Sequence, residues 1–391
     1  MLTAAVRALT AAVLALYAPA AAPPPVRQQQ QWVLDALNVE QAWTLTKGKG
    51  VTVAVVDTGV DPKVKELNGR VTAGPDMTTA TLERNMAPGA HGTAMAGLIA
   101  ATGAGNGLVG VAPEARILSL PIVEDGDPPP GSGPDFAPPN EDSQTALDSP
   151  LGRALRYAAN HGAQVVSMSI GTYGVLKSER EAVSYALGKG VVLVAAVGND
   201  GETNYAKQNG TSFWSFPAGY PGVIGVGAVD KQGNRAAFSS DNLSVLVSAP
   251  GVGVPVVTRK GYEQAEGTSA AAALVAGVAA LIKSRYPNLP PEQVAQALTT
   301  SARGRPAAGY DDKIGFGVVD AAAALNAAQK LTGEQREVAV PQGKHFGAGE
   351  DSPGPARPGP DPWRLWLYGG GVLLALVTFC GAIIVLNQRK E

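Results

Sequence analysis

The chain has 391 residues, of which 45% are hydrophobic, and a formal net charge of −2 with a pI near 6.0. This length allows one large domain with appendages, and the lack of a basic excess argues against nucleic acid as a partner. A single cysteine, Cys380, excludes an intrachain disulfide, and only three histidines are present. No spacing of acidic residues is typical of a metal site, so the sequence predicts neither a metal nor a cofactor.

The first 22 residues are typical of a secretory signal peptide. Arg7 precedes an apolar run over 8–17, and Ala18-Pro19-Ala20 supplies the small residues that a signal peptidase recognises. The alternative interpretations are an ordinary N-terminal helix and an apolar run that persists as a membrane anchor. Residues 23–45 follow as an N-terminal extension of the main domain.

Residues 46–330 alternate strand patterns with helix patterns. Continuous apolar and β-branched runs predict buried strands at 51–56, 115–120, 165–170, 191–197 and 223–229. Helical patterns stand between or after them at 95–101, 151–161, 179–187 and 271–285. This alternation predicts an α/β fold whose mainly parallel sheet is covered on both faces. Its site should lie at the carboxyl ends of the strands.

Two proline-rich segments flank or interrupt this domain. The segment 124–150 contains Pro128-Pro129-Pro130, and we expect an inserted loop there that covers or borders the cleft. The segment 331–364 is rich in Pro, Gly and charge and includes His345. We interpret it as an extended, unpacked tether in which that histidine is solvated.

Residues 365–386 form a stretch of 22 residues without a charge. As a helix it would be about 33 Å long, enough to cross a bilayer core, whereas a buried soluble helix is the less fitting alternative. Aromatic residues stand at its outer edge, and Arg389 and Lys390 lie in the tail 387–391 that follows. The positive-inside rule predicts a single-pass protein of the cell membrane, with a cytoplasmic tail and an extracytoplasmic domain.

Four polar residues stand where a strand ends or a helix begins: Asp57, His91, Asn199 and Ser269. Each one has a purely structural explanation. Asp57 and Asn199 suit turns, Ser269 suits a helix cap, and His91 suits a packed core. A phosphoaspartate site at Asp57 is disfavoured, because that site would want a second Asp at position 59, which is Gly.

Together the four residues supply every group that acyl transfer requires. A carboxylate can orient an imidazole, the imidazole can take the serine proton, and an amide can donate to an oxyanion. An esterase or lipase has less support, since Ser269 stands in Gly-Thr-Ser-Ala-Ala and not in Gly-x-Ser-x-Gly.

The blocks around these residues resemble those of the subtilisin-like serine proteases, or subtilases. They read Val-Val-Asp57-Thr-Gly, His91-Gly-Thr-Ala-Met-Ala-Gly, Ala-Val-Gly-Asn199-Asp-Gly and Gly-Thr-Ser269-Ala-Ala. The resemblance implies a subtilisin-like three-layer sandwich and a serine endopeptidase acting on polypeptides. It also implies a triad of Asp57, His91 and Ser269 with Asn199 as the oxyanion donor.

A fifth segment resembles the family's strand that pairs with the substrate backbone. This segment is Ser167-Met168-Ser169-Ile170-Gly171. The whole architecture, from signal peptide to terminal span, resembles the mycosins, which are membrane-anchored subtilases of type VII secretion systems. That resemblance implies a secretion membrane complex as a partner. A structural subunit that docks on and stabilises such a complex, with proteolysis secondary, is the alternative function.

Three features depart from the family patterns. Ala273 stands where the serine block commonly has Pro. Only about 30 residues separate the signal peptide from the first strand, too few for a chaperone propeptide. The domain also lacks the cysteines that many mycosins carry there.

Overall fold

The computed structural model describes residues 24–78, 88–124, 149–333 and 362–388. The predicted signal peptide, most of the predicted inserted loop and most of the predicted tether lie outside the described residues. The chain divides into two compact units, residues 1–335 and residues 336–391.

The larger unit is built on a parallel sheet, in which the described residues form seven strands. They are β1 Thr52–Asp57, β2 Val71–Ala73, β3 Arg116–Pro121, β4 Val165–Met168, β5 Val192–Ala196, β6 Ile224–Val229 and β7 Val247–Pro250. Their spatial order is β2-β3-β1-β4-β5-β6-β7, and every neighbouring pair is parallel. A separate antiparallel hairpin consists of β8 Val254–Thr258 and β9 Gly261–Ala265.

The described helices of the larger unit are, in chain order, α1 Val26–Ala36, α2 Val39–Trp43, α3 Ala90–Ala100, α4 Pro150–Asn160, α5 Lys177–Gly188, α6 Asn204–Asn209, α7 Thr268–Arg285, α8 Pro291–Ser301 and α9 Ala321–Gly333. Helices α3 and α7 contribute to the core on one face of the sheet, and α4 and α5 contribute to the core on the other face. The smaller unit contains one helix in its described part, α10 Pro362–Gln388.

The side chains of β1 show why the unit has three layers. Val53 and Val55 belong to the core that contains α3 and α7, whereas Ala54 and Val56 belong to the core that contains α4 and α5. Successive strand residues point to opposite faces, so an all-apolar strand must be covered on both sides. The predicted α/β architecture with a covered parallel sheet is therefore confirmed.

Element boundaries differ from the prediction at the places that matter for the site. Helix α3 begins at Ala90 and not at 95, so His91 lies in its first turn. Strand β4 ends at Met168 and not at 170, so Ser169 and Ile170 leave the sheet. Polar residues and glycines at both places give no clear sequence signal for the boundary. Packing outweighs local propensity there and determines where each element begins or ends.

Among the described residues, two helices are apolar and long enough to cross a membrane, and their surroundings differ. Residues 268–285 of α7 have a mean hydropathy of 1.2 and are 83% buried, which makes α7 the central helix of the larger unit. Residues 366–383 of α10 have a mean hydropathy of 1.8 and are not buried within the smaller unit. Helix α10 is thus a candidate membrane span.

The N-terminal extension is an integral part of the larger unit. Val33 and Leu34 of α1 are fully buried in the core. The buried amide of Gln30 donates to the Val109 carbonyl at 2.5 Å, and the Val109 N–H donates to Gln30 Oε1 at 3.0 Å. These paired bonds satisfy a buried stretch of backbone that would otherwise be costly.

Candidate active site

Asp57 and His91 form a hydrogen-bonded pair at the carboxyl end of the sheet. Asp57 is the last residue of β1, and its Oδ1 lies 2.7 Å from His91 Nδ1. The carboxylate is 1% exposed, whereas the histidine side chain is 41% exposed. A buried carboxylate on Nδ1 fixes the ring's orientation and leaves Nε2 for other partners.

Two glycines beside His91 let the start of α3 approach the turn after β1. A Cβ on Gly89 would lie 2.0 Å from Thr58 Oγ1, and one on Gly92 would lie 2.5 Å from the Gly59 carbonyl oxygen. Both distances are far below any real contact. The glycines are therefore required for the approach that brings His91 onto Asp57.

Ser269 is the second residue of α7 and is not its cap. The cap position belongs to Gly267, which has a φ of 149°, and no side chain caps this end of the helix. The Ser269 hydroxyl instead lies 3.4 Å from the carbonyl oxygen of Ser169, and Ser169 Oγ donates to the Ser269 carbonyl at 3.2 Å. The helix-cap explanation of Ser269 is thus excluded.

These contacts bring Ser269 to the same edge of the sheet as the Asp57–His91 pair. Strands β1 and β4 are neighbours, with Val56 in register with Met168. Asp57 and Ser169 each directly follow this register pair, so both lie at the same edge of the sheet, where neighbouring strands are about 4.8 Å apart. Asp57 holds His91, and Ser169 holds Ser269.

Asn199 is held by the residue that precedes Ser269. The Thr268 backbone N–H and the Thr268 hydroxyl each donate to Asn199 Oδ1 at 3.0 Å. Because the oxygen accepts both bonds, the NH₂ group of Asn199 is turned away from Thr268 and remains a donor. The Asn199 side chain thus does more than form the turn after β5.

A pocket of about 260 Å³ opens beside Ser269. Its lining includes Ser169, Ile170 and Gly171 from the predicted substrate strand. By contrast, Ser167 and Met168 are buried in β4 and paired in register with both β1 and β5. Only the last three residues of the predicted segment therefore reach the surface.

The pocket also has walls that sequence reasoning missed. Asp200 and Tyr173 line it, and burial together with a hydrogen bond to Asp200 raises the pKa of the Tyr173 hydroxyl. Ser215 also lines it, and a Cβ on Gly171 would lie 2.3 Å from Ser215 Oγ. Ser215 lies beside Gly171, which is distant in the sequence, so no local pattern could have indicated its place in the pocket.

Neither of the other two histidines is among the described residues that line this pocket. His161 follows α4, where its ring stacks on Tyr157 at 3.6 Å between centroids, and His345 lies outside the described residues. Across 24–78, 88–124, 149–333 and 362–388, no group of three or more His, Cys, Asp or Glu side chains could hold a metal ion.

Comparison with known proteins identifies the class to which this fold and site belong. The model of the subtilase family matches residues 48–317. The chain belongs to this family and is a subtilisin-like serine protease, so the predicted family, fold and enzyme class are confirmed.

The relatives include mycosins. The chain is 37% identical over 329 residues to Mycosin-1 of Mycobacterium tuberculosis, covering 75% of this chain and 72% of that protein. It is 35% identical over 346 residues to fervidolysin of Fervidobacterium pennivorans, covering 81% of this chain but only 47% of fervidolysin.

A solved structure agrees with these matches. The crystal structure of MycP1 from the ESX-1 type VII secretion system superposes with a TM-score of 0.61 at 33% identity. The superposition covers 75% of this chain and 85% of that one. The chain is thus mycosin-like as well as subtilisin-like.

Proposed function

We propose that the chain is a membrane-anchored endopeptidase that hydrolyses peptide bonds through Asp57, His91 and Ser269. The observation that carries this proposal is the convergence at the ends of β1 and β4. Asp57 Oδ1 lies 2.7 Å from His91 Nδ1. Ser269 Oγ lies 3.4 Å from the carbonyl oxygen of Ser169, which directly follows the neighbouring strand β4. A partly exposed imidazole and hydroxyl beside a pocket suit a substrate that arrives from solvent.

The reaction follows from the roles that these groups can take. His91 Nε2 accepts the Ser269 proton as Oγ attacks the scissile carbonyl carbon, and buried Asp57 stabilises the imidazolium that forms. His91 then protonates the leaving amine, which leaves an acyl-enzyme. Water attacks the ester with His91 again as the base, and the freed Ser269 regains its proton.

The oxyanion of each tetrahedral intermediate needs donors that are in place before the reaction. We assign this role to the Asn199 NH₂ group and to the Ser269 backbone N–H at the start of α7. The helix's N-terminal dipole adds favourable potential there. Ser169, Ile170 and Gly171 would receive the substrate backbone as an added strand.

Replacing Ser269 by Ala should abolish peptidase activity without unfolding the chain. In subtilisin, a relative, losing the equivalent serine lowers kcat by on the order of 10⁶. Hydrolysis of fluorescent casein by the purified full chain measures this effect. A fluorophosphonate probe should label the wild-type chain at Ser269 and should not label the variant.

Ser284→Ala is the matched control, because Ser284 lies near the other end of the same helix α7. Its hydroxyl contacts Thr46 and the Lys49 carbonyl, far from the pocket. We expect this control to keep full activity. Casein hydrolysis by Ser269→Ala at the wild-type rate would remove Ser269 from the mechanism.

The Thr268 hydroxyl should act as a positioning group for Asn199. Thr268→Val keeps the backbone N–H bond but loses one of the two bonds to Asn199 Oδ1, so kcat should fall about tenfold with KM nearly unchanged. Asn199→Ala, which removes the donor itself, should lower kcat by about 10²–10³. Thr268→Ser, which keeps the hydroxyl, should have a kcat near the wild-type value. Steady-state kinetics on one peptide distinguish these outcomes, and equal losses in all three variants would contradict the assignment.

We further propose that α10 crosses the membrane with the peptidase unit on the extracytoplasmic side. Its apolar length and the two basic residues that follow it support this orientation. Protease added to intact cells should digest the peptidase unit and spare a tag fused after Glu391. Digestion of the tag with protection of the peptidase unit would reverse the orientation.

The mycosin relatives support a role in a type VII secretion system, since MycP1 is described as coming from one. We expect that deleting the gene lowers secretion by such a system in its own host, and that the wild-type chain restores it. Complementation with Ser269→Ala then separates proteolysis from a docking role. Secretion that is unchanged by the deletion would contradict this proposal.

A further inference from the structure

An unusual number of large apolar side chains is exposed next to the pocket. Tyr205 is 38% exposed, Phe213 is 49% exposed and Trp214 is 44% exposed. Among the described residues of the larger unit, the other exposed large hydrophobic residues are Leu45, Val175, Leu243 and Tyr262. Single exposed apolar side chains are common, but a cluster of aromatic rings is typical of a binding surface.

The rings form a continuous series that starts inside the pocket. Tyr205 and Phe213 stack with their centroids 3.6 Å apart and their planes 18° apart. Phe213 meets Tyr173 at 5.9 Å in a tilted arrangement, and Tyr173 lines the pocket beside Ser269. We call Tyr173, Tyr205 and Phe213 the aromatic shelf, which Trp214 follows directly in the chain.

Buried polar groups hold the shelf in its exposed position. Asp241 accepts hydrogen bonds from the Ser212 hydroxyl at its Oδ1, 2.6 Å away, and from the Ser212 N–H at its backbone carbonyl, 2.8 Å away. The Asn242 amide donates to the Phe213 carbonyl at 3.0 Å, and Arg235 pairs with Asp241 at 3.3 Å. The backbone under the rings is therefore fixed, so a ligand would not have to order it on binding.

The shelf is also fixed relative to the cleft. Thr172 and Phe216 exchange two backbone hydrogen bonds of 2.8 and 2.9 Å. These bonds join the segment that carries Phe213 and Trp214 to the segment that carries Ser169, Ile170 and Gly171. The rings and the pocket consequently form one continuous surface.

We propose that the aromatic shelf binds an apolar, aromatic-containing stretch of the same polypeptide that is cut at Ser269. This inference rests on the proposed peptidase function. Tyr173 belongs both to the pocket and to the shelf, so a chain that leaves the pocket on this side runs directly over the rings. Aromatic and aliphatic side chains stack favourably on such rings, whereas acidic side chains are disfavoured over the negative ring faces.

Binding to an inactive full chain tests the shelf without any cleavage. In a Ser269→Ala background, Tyr205→Ser with Phe213→Ser should weaken the Kd for fluorescein-labelled β-casein about tenfold. Leu45→Ser is the matched control, since Leu45 is 50% exposed and its neighbour Thr46 contacts Ser284, at the far end of α7 from Ser269. The control should bind within about twofold of the parent. A double variant that binds casein as tightly as the parent overturns the proposal.

Cleavage kinetics provide the second measurement, with Ser269 intact. The double variant should lose about tenfold in kcat/KM on casein and keep its kcat/KM on a chromogenic peptide of about four residues. Equal losses on both substrates would show that the rings only support the pocket, and would overturn the proposal. A wild-type chain that cleaves neither substrate contradicts the proposed function, whereas the binding assay still decides on the shelf.

Thermal unfolding of each variant shows whether the fold is kept. If the double variant unfolds, Tyr205→Ser alone is the substitute, because Tyr205 lies on the surface helix α6 and its loss leaves Phe213 in place. This single change should weaken casein binding about threefold. Unchanged binding by the folded single variant overturns the stacking role of Tyr205 and with it the shelf.

Discussion

The site depends on how closely two helices of small residues approach the strands and turns around them. A Cβ on Gly97 of α3 would lie 2.5 Å from Val257 Cγ1, and one on Gly277 of α7 would lie 2.6 Å from Val111 Cβ. Only glycine fits at either place. Since α3 carries His91 and α7 carries Ser269, this close fit determines where both side chains stand over the strand ends.

Polar contacts between side chains and backbone complete the positioning that the packing begins. Packing determines where each helix lies, but proton transfer and oxyanion binding depend on the positions of individual side-chain atoms. The carboxylate of Asp57 orients His91, the Ser169 carbonyl contacts the Ser269 hydroxyl, and Thr268 orients Asn199. Each partner belongs to a strand end or helix start, so rigid elements and not flexible loops hold the site.

Sequence reasoning predicted the strands that have a strong local hydrophobic signal and missed the strands that lack one. The strands near 51–56 and 191–197 are apolar throughout because both faces are buried, and their signal is local. Strand β9 is mostly exposed, and β7 contains Ser248 and Pro250, so neither is a continuous apolar run. The role of Ser215 depends on its contact with Gly171, which lies 44 positions earlier. No sequence pattern records such a contact.

One segment after β5 connects the chemistry to recognition. It begins with Asn199, which Thr268 ties to α7, and continues through α6 to Phe213 and Trp214. Buried Asp241 and Asn242 hold its later part, so that part is fixed by contacts separate from those of Asn199. On the proposed function, changes in α6 or in the exposed rings alter which polypeptides bind without moving the proposed catalytic groups. Separating the two tasks along one segment lets the same fold serve different substrates.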